Sequence, residues 1–253
     1  MKLGLPIEYQ ILPEFFECEN VIHNPPNTDI DNIIIEKILA SYGVQSVLDM
    51  TCGTGSQVFY LTSKGYNVVG SDFSPALIEF AQKKNSCVKF IHGDMRTLKV
   101  EKFDAVITIW NAIGHLTKSD FELAMRNIHS NLKNNGIYIF DILNLNAMTD
   151  DFLKNNVYQS YKRSGDTIFL SSQCGTLDRE KGLLHGCETV LVQKNLEKPL
   201  HYYNESSLQI YTASELKTML NNNGFELLSI TDGLGNQFVD DKSFTMLIAA
   251  RAK

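Results

Sequence analysis

The sequence predicts an α/β fold: a doubly wound, seven-stranded, mostly parallel sheet whose last strand is antiparallel, with an antiparallel β insertion after the fifth strand. Three observations predict it. Between residues 45 and 144, short apolar runs alternate with segments of helical period, and the connections are short, as in βαβ units. From 157 to 210 that rhythm gives way to alternation broken by the turn signals SGD, LDREKG and NLEKP, which suits antiparallel strands. A last helix and two apolar runs then close the chain.

The elements follow in order. Residues 1–28 hold four of the six prolines and read as an irregular lead-in, or short helices, able to fold over a ligand as a lid. DIDNIIIEKILAS, 29–41, has apolar residues at helical spacing behind an acidic start. QSVLDM is the first strand, and SQVFYLTSKG a helix stopped by Gly65. YNVVGSD is the second strand. SPALIEFAQKKN opens on Ser74–Pro75, an N-cap and first-turn pair. CVKFIHGD and KFDAVITIWN are the third and fourth strands, the latter apolar enough to be buried on both faces. KSDFELAMRNIHSNLKNNG reads as a helix stopped by Gly136, and IYIFDILN as the fifth strand. After the insertion, TASELKTMLNNNGF reads as a helix with a Thr or Ser cap and a Gly stop. FELLSITDG and FTMLIAARAK are the closing strands. One domain over 1–253 accounts for all of it.

Bulk properties narrow the function. The 253 residues carry a net charge of −6, with no Lys/Arg-rich run, which disfavours nucleic acid as a partner. No 18-residue apolar stretch and no signal-peptide pattern occur, so no membrane span is expected and the cytoplasm is the expected compartment. The five cysteines are scattered and form no C-x-x-C pair. They read as free thiols, with neither a metal site nor a disulfide framework.

In open α/β sheets, ligands bind outside the carboxyl ends of the strands. The expected stations are therefore 49–55, 71–74, 93–96, 109–115 and 140–144. The first reads VLDMTCGTGSQ, residues 47–57. Gly53 and Gly55 allow a sharp turn and a close ligand approach, and the following helix presents free N–H groups. A dinucleotide fingerprint would have a third glycine where Val58 stands. Asp49 would repel a diphosphate and attract a cation. The ligand expected here is positive near the loop.

This run resembles the first motif of class I S-adenosylmethionine-dependent methyltransferases, and the resemblance continues at successive strand ends. It implies a Rossmann-like fold with S-adenosyl-L-methionine as cofactor and S-adenosyl-L-homocysteine as product. It implies that Asp49, Thr51, Gly53, Thr54 and Gly55 surround the methionine end. Asp72, in VVGSDFS beside Phe73, would hold the ribose hydroxyls. Asp94, in FIHGDMRTL, would accept from the adenine amino group, with Met95 and Arg96 packing nearby. Trp110 and Asn111, in FDAVITIWNAIGHL, would face the methyl group. The family often has glycine where this chain has Thr51, so a narrower loop and a shifted methionine tail are expected.

Methyl transfer from a sulfonium needs positioning and desolvation more than acid–base help. His115, just past the fourth strand, is the candidate base or positioner of the acceptor, with a helix-capping role as the alternative. Trp110 either walls off the methyl or fills the sheet edge. The acceptor is expected to be a small molecule offering an amine or a hydroxyl. Tyr9 of the lead-in and Tyr158 and Tyr202 of the insertion are candidate acceptor contacts. The 157–210 insertion is loosely similar to that of amino-sugar or glycine N-methyltransferases, and its tyrosines also suit a homodimer interface. Rival readings are a non-catalytic cofactor-binding module and a nicotinamide oxidoreductase. Asn111 and His115 argue against the first; Asp49 and Val58 argue against the second. A nucleic-acid methyltransferase is disfavoured because WNAIGHL replaces the Asn/Asp-Pro-Pro-aromatic motif of base-amino enzymes.

Overall fold

The computed structural model describes residue 3, residue 9, and residues 13–17, 19–20, 28–155 and 158–253. Two sheets organise them. The larger takes the strands β2 (Ser46–Asp49), β3 (Asn67–Asp72), β4 (Lys89–His92), β5 (Phe103–Thr108), β6 (Leu132–Leu143), β11 (Phe225–Thr231) and β12 (Thr245–Ala252), in spatial order β11-β12-β6-β5-β2-β3-β4. β4, β3, β2, β5 and β6 pair in parallel. β12 runs antiparallel to both its neighbours. The smaller sheet is antiparallel: β1 (Glu19–Asn20), β7 (Tyr158–Ser164), β8 (Thr167–Asp178), β9 (Leu183–Lys194) and β10 (Leu200–Gln209). The expected seven-stranded sheet and the expected insertion are both present. The lead-in joins the insertion, since Glu19 and Asn20 pair with Arg163 and Lys162.

The helices are α1 (Thr28–Ser41), α2 (Ser56–Ser63), α3 (Pro75–Lys84), α4 (Lys118–Ser130), α5 (Asp150–Asn155) and α6 (Ala213–Asn222). Their starts follow the cap chemistry of the sequence. Ser74 Oγ accepts the Leu77 N–H, Thr117 the Asp120 N–H, and Thr212 the Glu215 N–H. α2 differs: it begins behind Gly55 with no side-chain cap, so its first N–H groups stay open toward the glycine turn.

The helix expected to reach Gly136 ends at Ser130. Asn131 stops it, closing the last turn with its N–H on Asn127 O and turning its side-chain amide onto Leu98 O and Asn127 O. Leu132 then pairs with Phe103, and the register jumps to Ile137 opposite Ala105. Asn135, at φ 61°, carries the chain through that jump. Gly136 marks the turn, not the end of the helix.

Two apolar layers cover the two faces of the large sheet. One joins Phe121, Met125, Tyr138, Phe140, Tyr211 and Phe225. The other joins Ile35, Leu39, Val58, Leu61, Ile107 and Ile139. The smaller sheet is tied to the carboxyl edge of the larger. Leu145 N–H donates to Tyr211 O, Ile210 N–H to Gly182 O, and the turn at 112–115 packs on β10.

The reading of the cysteines needs correction. Cys174 and Cys187 stand directly opposite each other on β8 and β9 and form a disulfide. Cys52 and Cys87 are free, and Cys18 lies outside the described residues. The pair is set by strand register, which a separation of 13 positions along the chain does not reveal.

Candidate active site

The site forms where β2, β3, β4, β5 and β6 end. Asp49 closes β2 and is 1% exposed. Its Oδ1 accepts the Thr51 N–H at 3.1 Å, while its Oδ2 is buried without a partner. Burial pushes the carboxyl up to about 8, opposed by the Thr51 bond and aided by the charge of Asp72. A buried acceptor left empty is costly, and a cation seated above it would repay that cost. Gly53 (φ 52°) and Gly55 (φ 91°) shape the turn. Open space lies where a Cβ on Gly53 would stand, whereas one on Gly55 would meet the Phe59 ring at 2.8 Å. Thr51 Oγ1 accepts the Ile109 N–H at 3.2 Å and ties the loop to the end of β5. Thr54 is buried.

Asp72 ends β3. Its Oδ2 accepts the Gly53 N–H at 2.9 Å and its Oδ1 the Ser74 N–H at 2.8 Å. Burial raises its carboxyl, and these two bonds pull it back. Each oxygen keeps a second lone pair for a ligand hydroxyl. Phe73 is exposed beside it, its carbonyl bonded to His92 Nε2. Asp94 follows β4 and is gripped by Arg96 through Nε and Nη2, while Arg96 Nη1 reaches Asp120. Burial works to raise Asp94, but Arg96 outweighs it and holds the carboxyl below its ordinary value. Met95 packs on the core layer behind, and its carbonyl accepts from Asn127.

At the end of β5 the chain takes two left-handed residues in succession, Trp110 at φ 67° and Asn111 at φ 56°. Non-glycine residues hold such a conformation only when neighbours enforce it. Here Asn111 N–H donates to Asp141 Oδ1, and Asn111 Oδ1 accepts the Leu143 N–H, both at 3.1 Å. The turn that follows carries His115. Its ring meets Tyr9 edge-on, with centroids 5.4 Å apart, and its Nδ1 is sealed from solvent without a partner. Burial lowers the imidazole to about 4, so it is neutral near pH 7.

Tyr9 also accepts the Ser74 hydroxyl on its carbonyl, at 2.5 Å. Tyr9 therefore bridges the end of β3 and the turn after β5. Tyr202 sits on β10 opposite Val190, on the sheet face where Phe15 meets Phe169 edge-on. The side chain of Tyr158 lies outside the described residues, as does most of the 1–28 lead-in. Two polar residues escaped the sequence reading. Gln57, in the first turn of α2, has a buried Nε2 without a partner. Asp141 lies inside the 140–144 station that the strand-end rule had marked. Among the described residues no group of three or more His, Cys, Asp or Glu side chains could hold a metal ion. No described helix is long and apolar enough to cross a membrane.

Residues 47–136, the stretch that holds these stations, match the family model for a methyltransferase domain. That stretch is a methyltransferase domain. A putative methyltransferase of Bacillus subtilis, YqeM, is 35% identical over 102 residues, which is 38% of this chain and 41% of that protein. The chain spans less than half the length of the first curated relatives it matches. Among solved structures, a S-adenosylmethionine-dependent methyltransferase from Clostridium acetobutylicum superposes with a TM-score of 0.77 at 17% identity, covering 90% of this chain and 93% of that one. CalS10, an amino pentose methyltransferase from Micromonospora echinaspora solved with S-adenosylmethionine bound, superposes at 0.70 and 19% identity, covering 89% and 91%. At these identities the superpositions establish the methyltransferase fold, smaller sheet included.

Proposed function

We propose that this protein moves a methyl group from S-adenosylmethionine to an amine or hydroxyl of a small molecule, by in-line displacement. The observation that carries the reading is the unpartnered Asp49 Oδ2, buried above an open glycine turn. Such a site welcomes a cation and repels a diphosphate. The donor set fits the cofactor piece by piece. Asp49 and the open N–H groups at the start of α2 suit a zwitterionic amino-acid tail. Asp72 suits a pair of ribose hydroxyls, and Asp94 with Met95 suits a base edge and its face. S-adenosylmethionine supplies an activated methyl on a sulfonium.

The chain's own residues then have defined tasks. Trp110 and the Trp110–Asn111 turn wall the methyl side and exclude water. His115, neutral near pH 7, accepts a hydrogen bond from the incoming acceptor and orients its lone pair. An imidazole held near 4 keeps a proton poorly, which favours positioning over general-base work. Tyr9 closes the site from the lead-in side. The smaller sheet, whose inner face carries Tyr202, selects the acceptor. The amino pentose that CalS10 methylates makes amino sugars a sensible first class to screen.

Calorimetric titration with S-adenosylhomocysteine, with NAD as a parallel control, tests the reading. Micromolar binding of the first and none of the second is the expected result. Binding of NAD alone would overturn it. Binding of S-adenosylhomocysteine with no methyl transfer to any amine or hydroxyl screened would favour a non-catalytic binding module.

A further inference from the structure

β8 and β9 are cross-linked beside a weak point in their ladder. Cys174 and Cys187 face each other with Cα atoms 5.5 Å apart and form the disulfide. The next pair along is Gly175 opposite Gly186. Glycine inside a strand brings no side chain to pack and loses the most chain freedom on folding. A Cβ on Gly186 would meet only backbone oxygens, at 3.8 and 3.9 Å. The covalent link holds the two strands together where side-chain packing does not.

The link is also accessible. Cys174 is exposed and Cys187 half-buried. Both line a cavity of about 540 Å³, together with Leu3, His185, Glu205 and Ser207. Disulfides that solvent reaches are the labile ones, because exchange requires a thiolate to approach one of the sulfurs. The same cavity touches the lead-in. Leu3 is buried, and its carbonyl accepts the Ser207 N–H at 2.6 Å. β10 is an edge strand, so this bond covers an N–H that the sheet leaves unpaired. Ser207 Oγ is bonded in turn to His185 Nδ1 at 2.8 Å, two residues before Cys187 on the same face of β9. Six positions after Leu3, Tyr9 meets Ser74 and His115 at the candidate active site. The lead-in is thus anchored both at the disulfide cavity and at the ligand site.

We propose that Cys174–Cys187 is a thiol-exchange site, reduced by a low-molecular-mass thiol, and that its redox state sets how firmly the lead-in docks on β10 and covers the ligand site. The thiolate of one reductant molecule attacks Cys174 Sγ, the more exposed sulfur. The S–S bond breaks, and its electron pair leaves on Cys187, which takes a proton from solvent. A second thiolate attacks the reductant sulfur now joined to Cys174. The reductant departs as its own disulfide, and Cys174 is released as a thiolate that takes a proton. Two electrons pass to the protein, and two thiol molecules are oxidised to one disulfide. With the link open, the Gly175–Gly186 step is held by backbone bonds alone, and the strand pair that carries the Leu3 contact loosens.

The experiment equilibrates the protein in glutathione buffers from fully oxidised to fully reduced, then alkylates it and maps its peptides by mass. Cys174 and Cys187 should change state together in the folded protein, while buried Cys52 stays unmodified. Deuterium exchange at the Ser207 amide should run about tenfold faster in the reduced form. Calorimetry should show S-adenosylhomocysteine binding about fivefold or more weaker to the reduced form. The double variant Cys174→Ser, Cys187→Ser should match the reduced form in both readouts and ignore the glutathione ratio. Should that variant fail to fold, the reduced parent gives the same comparison. The inference falls if no disulfide forms at any ratio, if it opens only on unfolding, or if Ser207 exchange is equal in the two forms. Equal affinity across a complete thiol transition removes the coupling to the ligand site. Failure of S-adenosylhomocysteine to bind either form sinks the methyltransferase reading instead, and the Ser207 amide then decides this inference alone.

Discussion

Asp49 holds a proton that a cationic ligand would expel. Its carboxyl sits near 8 because burial disfavours the charge. The ionised form is the one that attracts an ammonium or sulfonium. Affinity for S-adenosylhomocysteine should therefore climb as the pH rises towards about 8 and level off above it. The ligand-free protein shows the opposite slope. A carboxyl raised in the folded state stabilises fully below its unfolded value of ~3.9 and loses that stability as the pH rises through the folded one. Asp49→Asn should flatten both slopes; calorimetry and thermal melts across pH would show it. Asp72→Ala removes two charge-assisted bonds to the loop and the proposed ribose contact. Affinity should drop about 10- to 100-fold, from ~1.5–3 kcal/mol, and an unchanged dissociation constant would refute the ribose assignment.

At the scale of elements, two turns hold the site, each by a different device. The first uses glycine. Gly55 adopts a conformation that L side chains rarely take, and an added Cβ would press on Phe59 and Phe90. Gly55→Ala should cost ~1–3 kcal/mol, lowering the melting midpoint by about 2–4 °C per kcal/mol, with ligand affinity falling too as the start of α2 shifts. The second turn uses hydrogen bonds. Trp110 and Asn111 stay left-handed because Asp141 and Leu143 grip both ends of the Asn111 side of the turn. Asn111→Ala removes the Leu143 bond and should release His115 from its place. Turnover should then fall more than affinity for S-adenosylhomocysteine, a split that steady-state kinetics and calorimetry can read side by side.

At the scale of the molecule, the smaller sheet and the lead-in meet the large sheet at one edge. Tyr9 touches Ser74 after β3 and His115 after β5, while Phe15 packs on Phe169 of the insertion. A ligand beneath this cover would join parts that are far apart in sequence. At 100 times its dissociation constant, S-adenosylhomocysteine should add ~2.7 kcal/mol to stability, a rise of about 5–10 °C in a thermal melt. Tyr9→Ala should leave the unliganded melting point nearly unchanged and shrink the ligand-induced rise.

Strand ends were readable because each carries a local signature: an apolar run, then an acid or glycine, then a helix start. Asp49, Gly53, Gly55, Asp72 and Asp94 all lie where that pattern put them at the strand ends, the β insertion followed from rhythm, and the antiparallel last strand from the short loop before it. Other features depend on pairs that sequence does not place together. Cys174 meets Cys187 only through the register of β8 and β9. Asn131 ends α4 by reaching Leu98, which precedes it by 33 residues. Asp141 became visible only once β6 lay beside β5 and its carboxylate met the Asn111 N–H. The sequence by itself determined the order of elements and the acids and glycines at the strand ends, since both arise from neighbours in the chain. Only the tertiary structure decided which side chains meet past the end of β5 and how they are protonated, since the contacts and burial there join residues about 30 to 110 positions apart.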